Sequence, residues 1–251
     1  MSVYAASLPD NYKMDFIKDI KGIIFDYGGT IDSRGTHWSE VIWAGYQASG
    51  VKIGKDTFRE AYVYAERELA KHPHIMPDDN FYNLLYKKMK IELQWLVDNN
   101  HLDAGSVHVL APDIAKYCYD AARECVEEAK PVLDRLAERY PMVLVSNFYG
   151  NVESVLSDFG LLHYFRRIIE SAVVGVRKPD PQIFRLGVEA LGMKPEEVLV
   201  VGDSYKKDIV PAESIGCKVA WLKGKGWTAD EDAVTHPSII KKLSDLLEVA
   251  L

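Results

Sequence analysis

The sequence predicts an α/β protein: a doubly wound parallel sheet with an all-α domain inserted into it. Two observations predict this. Short apolar runs recur at Ile23-Ile24-Phe25, Met142 to Val145, Val198 to Val201 and Val219 to Leu222, each too short for a core helix and each followed by turn residues. The stretch between the first and second of these runs holds no convincing strand and carries helix-period stripes instead.

Taken in order, the first run reads as a buried strand of a parallel sheet. The inserted segment, residues 36–129, shows one stripe at Phe58, Tyr62, Ala65 and Leu69. A second follows at Phe81, Leu85, Met89, Leu93 and Leu96, and a third runs through Ile114 to Val126. His72 to Asp79 and Asn99 to Ser106 are the expected loops between them. The remaining runs are strands separated by helices. One such helix has its start marked by Asp180 and Pro181 and its stop by Gly192, with Ile183, Phe184, Leu186 and Leu191 between. The expected division is therefore residues 1–35 and 130–251 as the sheet-containing core, with 36–129 as a helical cap.

The bulk composition sets the class of ligand. The 251 residues are 48% hydrophobic and 27% charged, enough for one large domain or two modest ones. A formal net charge of -7 gives no electrostatic reason to approach nucleic acid or an anionic membrane, so neither is an expected partner. Cys118, Cys125 and Cys217 form no CxxC pair and no even disulfide set, which fits a reducing compartment. Met1 to Asp10 lack the basic and apolar regions of a secretory signal, and no apolar run reaches the ~20 residues of a membrane helix. Cytoplasmic, small-molecule chemistry is the expectation.

In an open parallel sheet ligands bind at the carboxyl ends of the strands. The first strand ends in Asp26-Tyr27-Gly28-Gly29-Thr30 and the second in Ser146-Asn147. The Val198 strand ends in Gly202-Asp203-Ser204, with Asp208 five residues after Asp203, and Lys178 precedes the Pro181 helix. Three carboxylates, a hydroxyl, an amide and a lysine thus converge on one sheet edge. Oxygen ligands of this kind suit Mg²⁺ together with a substrate phosphate. One carboxylate is then available to attack phosphorus, while Lys178 and Ser146 hold the phosphoryl oxygens. Taken singly, each of these residues has an ordinary structural explanation as a cap or turn residue.

In that order these motifs resemble the haloacid dehalogenase-like superfamily, in its branch with a helical cap after the first motif, over nearly the whole chain from Lys21 onward. The resemblance implies a hydrolase of phosphatase or phosphotransferase type acting on a small phosphorylated metabolite. It makes Asp26 the nucleophile and a metal ligand, and it places Thr30, Ser146, Asn147 and Lys178 on the phosphate. Gly28 (through its carbonyl), Asp203 and Asp208 complete the Mg²⁺ site, and residues 36–129 open and close over it.

The sequence departs from the family two residues after the nucleophile, where phosphatases carry an acid-base aspartate and this chain has Gly28. Such a group is worth ~10²–10⁴-fold in rate. Several readings follow. A phosphatase or phosphotransferase that takes good leaving groups or borrows its acid elsewhere is favoured, and His37, at the start of the cap, is the candidate donor. Its alternative role is hinge packing beside Trp38. A phosphonate hydrolase would use a cap lysine as Schiff base, with Lys71, Lys87, Lys88 and Lys90 as candidates and none singled out. Dehalogenases lose the metal-binding acids that Asp203 and Asp208 preserve. The non-enzymatic alternative is an impaired family member that binds a phosphorylated ligand or a protein partner. Tyr149 either touches substrate or packs the loop, and Lys206-Lys207 reads as a solvated helix face.

Overall fold

The computed structural model describes residues 19–250. The expectation that Met1 to Asp10 carry no secretory signal lies outside the described residues. The sheet contains β1 (Gly22–Phe25), β2 (Met142–Ser146), β3 (Phe165–Glu170), β4 (Val198–Gly202), β5 (Lys218–Leu222) and β6 (Ile239–Ile240). Every pairing is parallel, in the order β3-β2-β1-β4-β5-β6.

The four central strands are apolar on both faces because both are covered. Ile23, Phe25, Leu199 and Val201 belong to one core cluster, and Ile24, Val198 and Val200 to the other. The second cluster is closed by Ile183, Phe184 and Val188 of α7 (Gln182–Leu191) and by Ala212 of α8 (Val210–Ser214). The expected start and stop of α7 hold: Gln182 N–H donates to the Asp180 carboxylate at 2.9 Å, and Gly192 is left-handed at φ 67°.

Four helices lie between β1 and β2, and among the described residues no strand interrupts them: α1 (Trp38–Ala48), α2 (Lys55–Lys71), α3 (Phe81–Asp98) and α4 (Ser106–Ala137), while the short α5 (Val152–Asp158) and α6 (Ser171–Val174) follow β2 and β3. The three predicted stripes are their buried faces. The boundary expected at residues 129/130 falls inside α4, which continues through Pro131 for two more turns. The reason is packing: Ala111, Ile114 and Cys118 are buried in the helical segment, and Val132, Leu133 and Leu136 extend the same apolar stripe into the core that covers the sheet. β3 and β6 have no counterpart in the sequence reading. β3 is an edge strand that exposes Arg166 and Arg167, and β6 is two residues long, so neither forms an apolar run.

The topological switch point lies between β1 and β4, which pair directly while the chain leaves each in opposite directions across the sheet. Asp26 and Asp203 are the residues just past the ends of these two strands.

Candidate functional site

Asp26 continues β1 by donating its N–H to Val201 O at 2.9 Å, so the sheet itself sets where its side chain stands. The chain then turns sharply: Thr30 and Ile31 both donate to Tyr27 O. Gly29 makes the turn at φ 97°, and a Cβ there would run into the Asp203 carboxyl group, so glycine is required on two counts. Tyr27 is fully buried against Phe81 and Phe148.

The Asp26 carboxylate is held by three donors. Lys178 Nζ donates to Oδ1 at 2.6 Å and Ser146 Oγ to the same oxygen at 3.0 Å, while Thr30 Oγ1 stands 3.3 Å from Oδ2. Lys178 Nζ also donates to Asp208 Oδ1 at 2.6 Å, and Asp208 Oδ2 accepts from Ser204 N–H at 2.9 Å. Asp26, Asp203 and Asp208 each offer an oxygen within 4.8 Å of the others. Eight of the nine expected site residues, Asp26, Gly28, His37, Ser146, Asn147, Lys178, Asp203 and Asp208, line one cavity of 540 Å³.

Two residues stand differently from the expectation of phosphate contact. Thr30 does not line the cavity: it is buried, and its hydroxyl lies between Asp26 and Asp203, 3.3 Å from each. Asn147 lines it, but its amide is committed to the Lys178 backbone, donating to the carbonyl at 3.0 Å and accepting from the N–H at 2.9 Å. Its side chain positions the lysine. Both distances are those of ordinary hydrogen bonds, and they leave one amide N–H and one lone pair of the side chain for a ligand.

Burial and the neighbouring Asp208 and Asp26 push the Asp203 carboxyl well above the usual carboxylate range. Burial likewise raises Asp208, against the opposing pull of Lys178. Lys178 is 4% exposed, yet the two carboxylates outweigh its desolvation and hold it cationic. One ammonium faces three acids, a deficit of positive charge at the sheet edge.

His37 lines the cavity as the N-cap of α1, its Nδ1 accepting from Ser39 N–H at 3.2 Å and lying 2.8 Å from Ser39 Oγ. Its ring packs against Tyr62 and Trp227. Burial and the field of Lys207 lower it to about 4. A histidine neutral at pH 7 is a very weak acid, so the surroundings favour helix capping and packing over proton donation. Trp38 donates Nε1–H to the buried Asp32, 3.1 Å from each oxygen, and Asp32 Oδ1 also accepts from Gly29 N–H at 2.7 Å. Burial raises Asp32 to about 8.

The cap side of the cavity carries Glu66, which the sequence reading did not single out, together with Lys88 and Tyr149, which it named as candidates. Lys88 of α3 is ion-paired with Glu66 of α2, and Tyr149 donates its hydroxyl to Glu66 at 3.1 Å. The signal was present in the periodicity. The buried face of α3 is Phe81, Leu84, Leu85, Lys88, Met89, Glu92, Leu93 and Leu96, so two charged residues occupy core positions of the stripe. The segment after β5 supplies Trp227, which Arg59 of α2 covers at 4.7 Å while donating to its carbonyl at 2.6 Å. Lys206 and Lys207 are exposed as expected and also line the cavity.

A parallel sheet with an acidic, lysine-bridged switch point and a helical insertion over it defines a class of α/β hydrolase. Residues 20–216 match the haloacid dehalogenase-like hydrolase family, and the chain belongs to it. Among curated proteins it is 38% identical over 92 residues to a phosphoserine phosphatase of Thermus thermophilus, covering 37% of this chain and 35% of that one. It is 34% identical over 149 residues to a glyceraldehyde 3-phosphate phosphatase of Pyrococcus abyssi, covering 57% and 61%. The chain thus spans less than two thirds of the length of either relative. Among solved structures, the HAD-hydrolase YfnB of Bacillus subtilis, bound to magnesium, superposes with a TM-score of 0.59 at 18% identity, covering 93% of this chain and 99% of that one. At that identity the likeness is one of fold.

Proposed function

We propose that this protein is a divalent-metal-dependent phosphatase or phosphotransferase acting on a small phosphorylated metabolite, with Asp26 as nucleophile and residues 36–129 as the cap. The observation that carries the reading is the Asp26 carboxylate, fixed by Lys178 and Ser146 beside two further carboxylates at the switch point. The phosphatase relatives and the magnesium-bound structural neighbour point the same way. No helix among the described residues is long and apolar enough to cross a membrane. The three buried free cysteines support our proposal of a reducing, cytoplasmic location.

The residues fit Mg²⁺. The donors are all oxygens, and the single ammonium of Lys178 faces three carboxylates that approach within 4.8 Å of one another. Asp26, Asp203 and the Gly28 carbonyl would hold the ion directly. Asp208, with both oxygens already engaged, would act directly or through water. When bound, the ion supplies charge that offsets the repulsion between carboxylates and phosphate.

The chain's own residues do the rest. Lys178 and Ser146 fix one Asp26 oxygen, holding the carboxylate in place at the cavity for in-line attack on phosphorus. The phosphorus–oxygen bond to the leaving group breaks with its electron pair on that oxygen, and an aspartyl-phosphate forms. Water then attacks this phosphorus, the bond to the Asp26 oxygen breaks with its electron pair on the carboxylate, and phosphate leaves while the water's proton passes to the phosphate or to solvent. Gly28 offers no proton to the leaving oxygen, which favours substrates such as acyl phosphates whose leaving group departs as a stable anion.

One observation favours a second reading, a phosphonate hydrolase with a cap lysine. Of Lys71, Lys87, Lys88 and Lys90, Lys88 lines the cavity. A Schiff base needs a neutral amine, however, and Glu66 overrides burial to hold Lys88 protonated. That reading ranks second. Mg²⁺-dependent phosphate release from acetyl phosphate and p-nitrophenyl phosphate is the test, with Asp26→Asn expected to fall to the background rate. No turnover of either by a folded protein overturns the proposal and leaves the binding-only alternative, whereas full activity in Asp26→Asn overturns Asp26 as the nucleophile.

A further inference from the structure

The cavity has two polar poles. One is the acidic sheet edge, and the other is Glu66, Lys88 and Tyr149 at the cap, with apolar walls that include Val63, Leu84, Leu85 and Phe148. Buried ion pairs are weak sources of stability, because desolvating both charges costs about what their attraction returns. A charged pair that also faces a cavity therefore invites a functional explanation.

The donors and acceptors of this pole are unequally engaged. Lys88 is 4% exposed, donates to Glu66 and lies 4.3 Å from the Tyr62 ring centre. Tyr149 directs its one hydroxyl proton to Glu66, 3.1 and 3.2 Å from the two oxygens. Glu66 keeps 37% of its side chain accessible. Burial alone would raise its carboxyl, but Lys88 holds it below the usual range, so it is an anion at neutral pH. The group offered to a ligand is thus an ionised carboxylate, which only accepts hydrogen bonds.

We infer that Glu66, oriented by Lys88 and Tyr149, receives the organic half of the substrate, and that this half presents a hydroxyl and no carboxylate. The inference rests on the phosphoryl-transfer reading of the sheet-edge pole. A hydroxyl donates to Glu66 without adding charge to a pair that is already balanced. A ligand carboxylate would meet Glu66 with like charge, and the ammonium nearest to it, Lys88, is already ion-paired with Glu66. An ammonium group would lie beside Lys88 and within the field of Lys207, which also reaches Glu66.

Non-hydrolysable phosphonates separate this inference from the catalytic reading. Calorimetric titration of the full chain with Mg²⁺ would compare butylphosphonate, 3,4-dihydroxybutylphosphonate and 3-carboxypropylphosphonate. The dihydroxy ligand is expected to bind about tenfold tighter than the butyl one, the effect of one hydrogen bond to a charged group, and the carboxylate ligand more weakly than either. In Glu66→Met/Lys88→Met, which replaces the pair by apolar side chains of similar length, the tenfold ratio should collapse toward one. Glu66→Gln keeps the shape and weakens the acceptor, and should cut the ratio by about threefold even where the double variant does not fold. Equal binding of the butyl and dihydroxy ligands, tighter binding of the carboxylate, or a ratio that survives these substitutions overturns the inference. If acetyl phosphate is still turned over in that case, the catalytic reading stands without it. If no phosphonate binds and acetyl phosphate is not turned over, both fail together.

Discussion

At Gly28 an added Cβ would meet nothing within 4 Å, and the backbone there lies outside the left-handed region. One residue later, Gly29 is left-handed and pressed against Asp203. Adjacent glycines therefore have different reasons to be glycine: Gly29 is demanded by geometry, whereas Gly28 marks a missing side chain in a place with room for one. Gly28→Asp should accordingly fold and set a carboxyl group in the cavity beside Asp26. On the proposed mechanism it gains activity on alkyl phosphates, whose leaving oxygen needs a proton, by at most ~10²–10⁴-fold or roughly 3–5 kcal/mol. Little gain is expected on acetyl phosphate. Steady-state kinetics on both substrates check this, and a folded variant with no gain on any alkyl phosphate would show that the absent acid is not what limits the reaction.

The cap helices bury charge as well as apolar surface. Glu92 of α3 is fully buried, with Oε2 accepting from Tyr46 of α1 at 3.1 Å and Oε1 without a hydrogen-bond partner. Burial raises its carboxyl from 4.5 to about 7, despite Lys88 nearby. Because the folded value lies above the unfolded one, the folded state favours the protonated acid. The contribution to stability is fully present below pH 4.5 and is lost as pH rises through 7. Glu92→Gln, neutral throughout, should match the parent at low pH and exceed it at pH 8 by up to about 3 kcal/mol. Denaturant unfolding at the two pH values measures the difference, and a variant less stable at pH 8 than the parent would contradict it.

On the scale of the whole molecule, the acidic switch point joins the two halves of the sheet. Asp26 follows β1, Asp203 follows β4, and Lys178 reaches both Asp26 and Asp208 from the segment before α7. A cation bound there would act on the folded state alone, because the three carboxylates meet only when the sheet is formed. Mg²⁺ should therefore raise the melting temperature in a saturable way, by about 2.7 kcal/mol of stability at a hundredfold excess over Kd. The gain should be lost with a chelator and much reduced in Asp203→Asn. Thermal unfolding across a Mg²⁺ series checks this, and an unchanged midpoint up to tens of millimolar would rule out a specific ion at this site.

The amino-acid sequence by itself determined the α/β class, the helical insertion and the order of the strand-end motifs, because hydrophobic period and turn chemistry are local properties. Four strands, the three helical stripes and the α7 boundaries were legible for that reason. β3 and β6 were not, since an edge strand needs only one apolar side and a two-residue strand has no period. The end of the cap was hidden because α4 serves both parts of the molecule with one continuous stripe. What only the tertiary structure decided is which polar groups spend their hydrogen bonds on each other. Asn147 turned to the Lys178 backbone, Thr30 settled between two aspartates, and His37 capped a helix, while Lys88 emerged from four equivalent lysines to line the cavity. The Asn147–Lys178, Thr30–Asp203 and Lys88–Glu66 pairings join residues far apart in the chain, so only the assembled fold sets their distances.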